Sequence, residues 1–247
     1  MLTPFTSLNK PIGELLGSFF CCNCVLCGTS LRQNFALCEF CRNELPKIES
    51  YCTKCCSEVE SQSLQNTICV KCLRNPPAFR HCRALFRYQP PINSLLRAYK
   101  FGEGFAEGRI LSLLLAREFQ QHYATSKIPD ILIPVPLHRN RLRQRGFNQA
   151  VEIARTISGL CNIPVSLNQV IKNRDTAPQS ELSKAARYRN LRNAFALNSR
   201  SGFKSVESAA IIDDIVTTTT TVSSLAGLLR AAGIQSIDVG YLPARLL

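Results

Sequence analysis

The sequence predicts an α/β protein: a parallel sheet flanked by helices, preceded by a small cysteine-rich region built to hold metal. Three observations predict it. Twelve of the 13 cysteines lie between Cys21 and Cys82, and only Cys161 falls later. From Ile92 onward, short apolar runs alternate with segments of helical periodicity, the pattern of a parallel sheet with crossover helices. One of those runs, Ser208–Ile212, ends in two acids and then five threonines, and parallel sheets present ligand-binding residues at the carboxyl ends of their strands.

Composition narrows the class. The chain has 247 residues, 45% hydrophobic and 19% charged, with a mean hydropathy of −0.01. These values exclude wholesale disorder. The apolar stretch around Ile110–Ala116 is far too short to span a bilayer. Near the N-terminus, Glu14 interrupts the apolar run and no basic segment precedes it, so it reads as neither export signal nor anchor. Thirty basic against 17 acidic side chains give a net charge of +13, which favours polyanionic partners.

The cysteines come in pairs. Cys24-Val25-Leu26-Cys27 is followed by Cys38-Glu39-Phe40-Cys41, then Cys52-Thr53-Lys54-Cys55, then Cys69-Val70-Lys71-Cys72. Four CxxC pairs supply eight thiolates, enough for two tetrahedral structural zinc sites. An odd count and no export signal argue against a disulfide scaffold and for a reducing cytoplasm. Consecutive pairing, with Cys24, Cys27, Cys38 and Cys41 in one site and Cys52, Cys55, Cys69 and Cys72 in the other, is the default. Cys21 also forms a CxxC with Cys24, Cys56 can replace Cys55, and interleaved pairing stays open. Residues 1–90 carry ten basic and six acidic side chains, and eight thiolates on two Zn²⁺ would bring them near neutrality. The polyanion-attracting charge therefore belongs to the later part. The expected domains are 1–83, the metal-binding region, and 84–247, the α/β domain.

Along that second part, Ile92–Phe101 and Gly108–Tyr123 have helical spacing. Asp130–Pro136 reads as a buried strand stopped by prolines, Gly146–Leu160 as a helix, and Ile163–Val170 as a strand. Lys172–Asn198 is polar and basic and reads in part as a mobile loop. Ser208–Ile212 is a buried strand, Thr221–Ala232 a helix ended by Gly233, and Ile237–Leu242 a last strand.

Asp213 and Asp214 at a strand end can accept hydrogen bonds from sugar hydroxyls. Thr217, Thr218, Thr219, Thr220 and Thr221, at a helix N-terminus, can hold a phosphate. A plain N-cap would also explain threonines there. Arg139, Arg141, Arg143 and Arg145 alternate, so they cannot share one face of a helix. An extended loop would project them like the teeth of a comb along a nucleic-acid backbone, with Phe147 and Tyr188 near enough to stack bases. A second basic cluster at 172–204 includes Arg187. A solvated basic face is the plainer reading of both.

These motifs resemble known ones. Asp213-Asp214-Ile215-Val216-Thr217-Thr218, closed by Thr221, is similar to the phosphoribosyl-pyrophosphate (PRPP) motif of type I phosphoribosyltransferases. Pro134-Val135-Pro136-Leu137-His138-Arg139, continuing through Arg141, Leu142, Arg143 and Arg145 to Gly146-Phe147-Asn148-Gln149-Ala150, resembles the signature of the ComF family of competence proteins. Tyr99-Lys100-Phe101 resembles a family form, and Gln179, Leu182-Ser183, Arg187, Asn190 and Ala194-Phe195 fit the same signature. The four CxxC pairs match the double zinc ribbon with which members often begin. The resemblance runs over nearly the whole chain from Cys24.

It implies a type I phosphoribosyltransferase fold behind a double zinc ribbon, in a cytoplasmic protein associated with natural transformation or the use of external DNA. Asp213 and Asp214 would hold the ribose hydroxyls, Thr217–Thr221 the 5′-phosphate, and Pro136, Leu137, His138 and Arg139 the pyrophosphate, with Mg²⁺ arriving on PRPP. Arg139, Arg141, Arg143, Arg145 and Arg187 would contact single-stranded DNA, and DNA-processing or uptake proteins are the partner class. An active phosphoribosyltransferase of nucleotide salvage is the alternative, and a scaffold with a vestigial cradle a third reading. One departure bears on the choice: Thr219 stands where the family loop has glycine. A β-branched residue held at positive φ costs about 1–3 kcal/mol, roughly a 10–100-fold loss of affinity. Either the loop takes another conformation or phosphate binding is weakened.

Overall fold

The computed structural model describes residues 22–33, 35–59, 67–100, 104–174, 194–198, 203–216 and 219–244. The chain divides into two compact units, Met1–Leu45 and Pro46–Leu247. The boundary expected at 83/84 falls inside a strand of the second.

In the first unit, β1 (Cys22–Asn23) and β2 (Ser30–Leu31) form a small antiparallel ladder, and α1 (Glu39–Asn43) follows. Gly28, at φ 76°, makes the turn between the strands, a conformation that costs glycine nothing. Cys38 caps α1 by accepting from the Cys41 N–H.

The second unit opens with α2 (Val70–Arg74) and β3 (His81–Arg87). Then come α3 (Ile92–Lys100), α4 (Phe105–Tyr123), β4 (Ile131–Pro134), α5 (Arg139–Arg145) and α6 (Gln149–Cys161). The remaining elements are β5 (Val170–Lys172), β6 (Phe195–Leu197), β7 (Ser208–Asp213), α7 (Thr220–Ala231) and β8 (Ser236–Ala244).

Four strands form a parallel sheet in the order β3-β8-β7-β4. This is the predicted architecture. Residues 208–212 of β7 are all buried, as expected of an inner parallel strand covered on both faces. One face carries Ile133, Ala209, Ile211, Ile237 and Val239 against Val222, Leu225, Ala226 and Leu229 of α7. The other meets α4 and α6, which pack together. There Gly240 of β8 lies against the Phe119 ring so closely that a Cβ would collide with it. Fully burying a large aliphatic side chain contributes about 1.5–3 kcal/mol.

The structure corrects the expected elements in three places. Residues 139–145 are helical, not an extended comb. Arg, Leu and Gln are good helix formers, the His138 side chain accepts from the Asn140 N–H, and Gly146 closes the helix at φ 78°. The helix expected from Gly146 therefore starts only at Gln149, with Asn148 as its N-cap. Second, Ile163–Val170 is not a continuous strand. Val165 makes one isolated parallel bridge to Leu132, and only Val170–Lys172 pairs as a strand, antiparallel to β6. Third, His81–Arg87 forms β3, a strand for which the sequence reading assigned no element. Its alternating burial is plain once paired with β8. Residues 175–193, with most of the polar segment between β5 and β6, fall outside the described residues.

Candidate functional site

β4 and β7 run in parallel register, Pro134 beside Ile212, and the Val135 N–H donates to the Ile212 carbonyl at 2.8 Å. The chain segments leaving these two strands are thereby brought side by side: Pro136–Arg139 from β4 and Asp213-Asp214 from β7.

The acids are organised by their own backbone. Asp213 Oδ1 accepts from the Asp214 N–H at 2.9 Å, and Asp214 Oδ1 from the Ile215 N–H at 2.8 Å. Lys100 Nζ, at the C-terminus of α3, lies 3.0 Å from Asp214 Oδ2. Burial, then the neighbouring Asp214 charge, pushes the Asp213 carboxyl well above its ordinary range, while Lys100 opposes the rise. One acid is thus held with a cation and the other is biased towards its neutral form. Such a pair suits hydroxyl groups, which both donate and accept hydrogen bonds, better than a second anion.

Thr219 precedes α7 with φ −69° and ψ 0°. That conformation is open to any residue, so the strain expected from a missing glycine does not arise at this position. At Thr219 the backbone does not take the positive-φ conformation on which the roughly 10–100-fold penalty rested. Thr220 and Thr221 form the first turn of α7, and the Thr219 side chain makes no capping bond. The helix N-terminus contributes its partial positive charge. Thr217 and Thr218 lie outside the described residues.

Across from the acids, Asn148 Nδ2 donates to the Val135 carbonyl at 3.0 Å and fixes the Pro136–Arg139 loop. His138 Nδ1 accepts from the Asn140 N–H at 3.3 Å, which leaves the neutral ring its proton on Nε2. A pocket of about 580 Å³ opens beside this loop, with His138, Arg139 and Lys172 among its polar lining and Leu142, Val151 and Ile171 among its apolar lining. On α5, at 100° per residue, Arg139 and Arg143 share one side and Arg141 and Arg145 the other. The expected comb is therefore split in two. Arg187 and Tyr188 lie outside the described residues.

Sequence reasoning assigned no role to Lys100, Asn148 or Gln149, although it quoted all three within motifs. Gln149, 1% exposed, donates from Nε2 to the Lys100 carbonyl at 3.4 Å and accepts from Arg145 at 3.4 Å. Its burial and both partners are tertiary, so no local signal in the sequence marked it.

The paired cysteines cluster in two groups that could each hold a metal ion. Cys24, Cys27, Cys38 and Cys41 form one group and Cys52, Cys55, Cys69 and Cys72 the other, with all ligand atoms in each group within 4.8 Å of one another. The two repeat one design. The Cys38 N–H donates to Cys24 Sγ at 3.4 Å, and the Cys69 N–H to Cys52 Sγ at 3.3 Å. Burial opposes ionisation at Cys24, but the N–H donors of Cys38, Cys27 and Leu26 outweigh it and lower the thiol to about 6. All-sulfur tetrads with N–H donors to sulfur fit tetrahedral zinc. Cys56, at φ 55°, instead joins the sheet core with Cys82, and Cys21 lies outside the described residues. Among the described residues, no helix is long and apolar enough to cross a membrane.

No protein-family model matches the chain. Among solved structures, the allosteric regulatory enzyme of purine biosynthesis is similar at 20% identity and a TM-score of 0.34, over 53% of this chain and 25% of that one. A purine phosphoribosyltransferase from Pyrococcus horikoshii is similar at 13% identity and a TM-score of 0.33, over 54% and 79%. Of three similar curated sequences, two align over far more of the chain. ComFC of Bacillus subtilis is 26% identical over 54% of this chain and 61% of its own length. DNA utilization protein YhgH of Escherichia coli K12 is 30% identical over 87% and 94%, and competence protein F of Haemophilus influenzae is 31% identical over 90% and 96%. Because the last two alignments run nearly end to end in both partners, this chain belongs to the ComF family of competence proteins.

Proposed function

We propose that this protein is a cytoplasmic accessory to DNA uptake or the use of external DNA, which binds Mg-PRPP or a related phosphoribosyl ligand and single-stranded DNA, and that both cysteine tetrads hold structural zinc. The observation that carries the ligand reading is the Asp213-Asp214 pair at the end of β7, countered by Lys100 and facing a loop that offers His138 and Arg139. The acids take the ribose hydroxyls, the first turn of α7 takes the 5′-phosphate, and the Pro136–Arg139 loop takes the pyrophosphate. The names of the relatives support the DNA role, and the net charge of +13 supports a polyanionic partner. DNA-processing or uptake proteins are the expected protein partners.

Calorimetric titration of Mg-PRPP into zinc-loaded protein tests the ligand reading. Asp213→Asn is expected to abolish the binding heat; undiminished binding in that variant would overturn the assignment. The same variant has a stability signature. A carboxyl whose pKa is raised by folding costs nothing below its ordinary value and increasingly destabilises the fold as pH rises above it. Asp213→Asn should therefore raise the melting temperature at pH 7 and leave it unchanged near pH 3. Pyrophosphate release on adding a nucleobase would establish turnover, the alternative reading, which the unstrained Thr219 backbone favours.

A further inference from the structure

We infer that the exposed ring of Phe105, backed by Phe147, is a stacking platform for a nucleobase of single-stranded DNA beside the Asp213-Asp214 site. This rests on the single-strand reading above and gives it a place and a residue. Phe105 opens α4 and is 75% exposed, among the highest exposures of any large apolar side chain described. Its ring stacks on Phe147 at a centroid distance of 6.3 Å and an interplanar angle of 27°. Phe147 in turn packs on the buried Tyr99 ring at 5.6 Å. Gly108 makes the arrangement possible, because a Cβ there would collide with the Tyr99 ring. The three rings form a ladder whose inner rung is fixed in the core and whose outer rung faces solvent.

Position and charge identify the occupant. Tyr99 is followed by Lys100, which pairs with Asp214, and Tyr99 itself lies within electrostatic range of that acid, so the inner rung of the ladder is near the proposed ribose-binding acids. Phe147 follows Gly146 at the end of α5, the helix that carries Arg139, Arg141, Arg143 and Arg145. An aromatic face next to cationic side chains is the chemistry single-strand binders use: rings for bases, arginines for phosphates.

The chain contains no tryptophan and six tyrosines, so Phe105→Trp installs a single tryptophan, excited selectively beyond the tyrosine band, in the platform. The full zinc-loaded chain would be titrated with an oligothymidylate of about 20 nucleotides, longer than a typical single-strand site, and with an abasic strand of equal length. Phe105→Ala is expected to weaken oligothymidylate binding roughly 5–100-fold and to leave abasic binding and its salt dependence unchanged. Phe105→Trp is expected to retain affinity, its emission quenched by oligothymidylate and not by the abasic strand. If wild-type protein binds both strands equally, or Phe105→Ala binds oligothymidylate normally, the platform is refuted while the single-strand reading stands. Equal affinity for thymidine monophosphate would make this a mononucleotide site and refute it as well. If wild-type protein binds neither strand, both readings fall.

Discussion

The two cysteine tetrads are each built from two CxxC pairs and share N–H to sulfur bonds, but differ in what surrounds them. The first sits in the small unit Met1–Leu45, with Cys27 exposed and Cys38 half-buried. The second belongs to the large unit. Cys52, Cys55 and Cys72 are buried there, with Val59 and Ile68 packed against them. Its knuckle is tied to the sheet at several points. The Cys82 N–H of β3 donates to the Thr53 carbonyl at 2.9 Å, Lys54 Nζ donates to the Arg80 carbonyl at 2.7 Å, and the buried Tyr241 hydroxyl of β8 donates to the Cys55 carbonyl at 3.2 Å. On the zinc reading proposed above, the same coordination chemistry does two jobs: it stands in for a larger hydrophobic core in the one unit and extends a core in the other.

The sharpest way to break this comparison is to remove one ligand from each site. A structural zinc contributes on the order of 10 kcal/mol of folding free energy to a domain that depends on it. Cys38→Ser should cost one zinc and unfold the first unit, leaving the main cooperative melt in place. Cys52→Ser should cost one zinc and lower that main melt. Calorimetry with zinc analysis checks both, and indistinguishable thermograms would mean that the second tetrad does not support the sheet. Next in size, Tyr241→Phe leaves the Cys55 carbonyl without its buried donor and should cost about 1–2 kcal/mol in denaturant unfolding, with zinc content unchanged. Cys56→Ala tests the ligand assignment: about 1 kcal/mol of stability lost, as for a typical point substitution, with two zinc ions retained. A drop to one zinc would make Cys56 a ligand. The smallest effect belongs to the partly exposed Arg87–Glu58 ion pair, where Glu58→Gln should change stability by under about 1 kcal/mol.

Much of this was legible in the sequence where chemistry sits in local spacing. The CxxC pairs and Asp213-Asp214 at a strand end are contiguous motifs, and β7 and α7 follow from periodicity within a residue or two. What sequence reasoning missed depends on tertiary partners. Alternating arginines favoured an extended loop only while the cap at His138 and the stop at Gly146 went unweighed. β3 was hidden because its first residues fall in the cysteine-rich stretch read as the metal-binding region, whereas Cys82 packs in the sheet core. Lys100 looked like one cation among thirty until α3 was seen to end at Asp214. Thr219 was judged against a glycine conformation that this loop does not adopt.

One bond in the second unit has a wider consequence. Tyr241, whose hydroxyl holds the Cys55 carbonyl, is the register partner of Asp213 across β7 and β8. A single residue thus spans the interval between a cysteine knuckle and the acid at the mouth of the sheet. On the proposed function, zinc binding and sugar recognition meet at this one residue, and protein starved of zinc is expected to lose its grip on a sugar before it loses its helices.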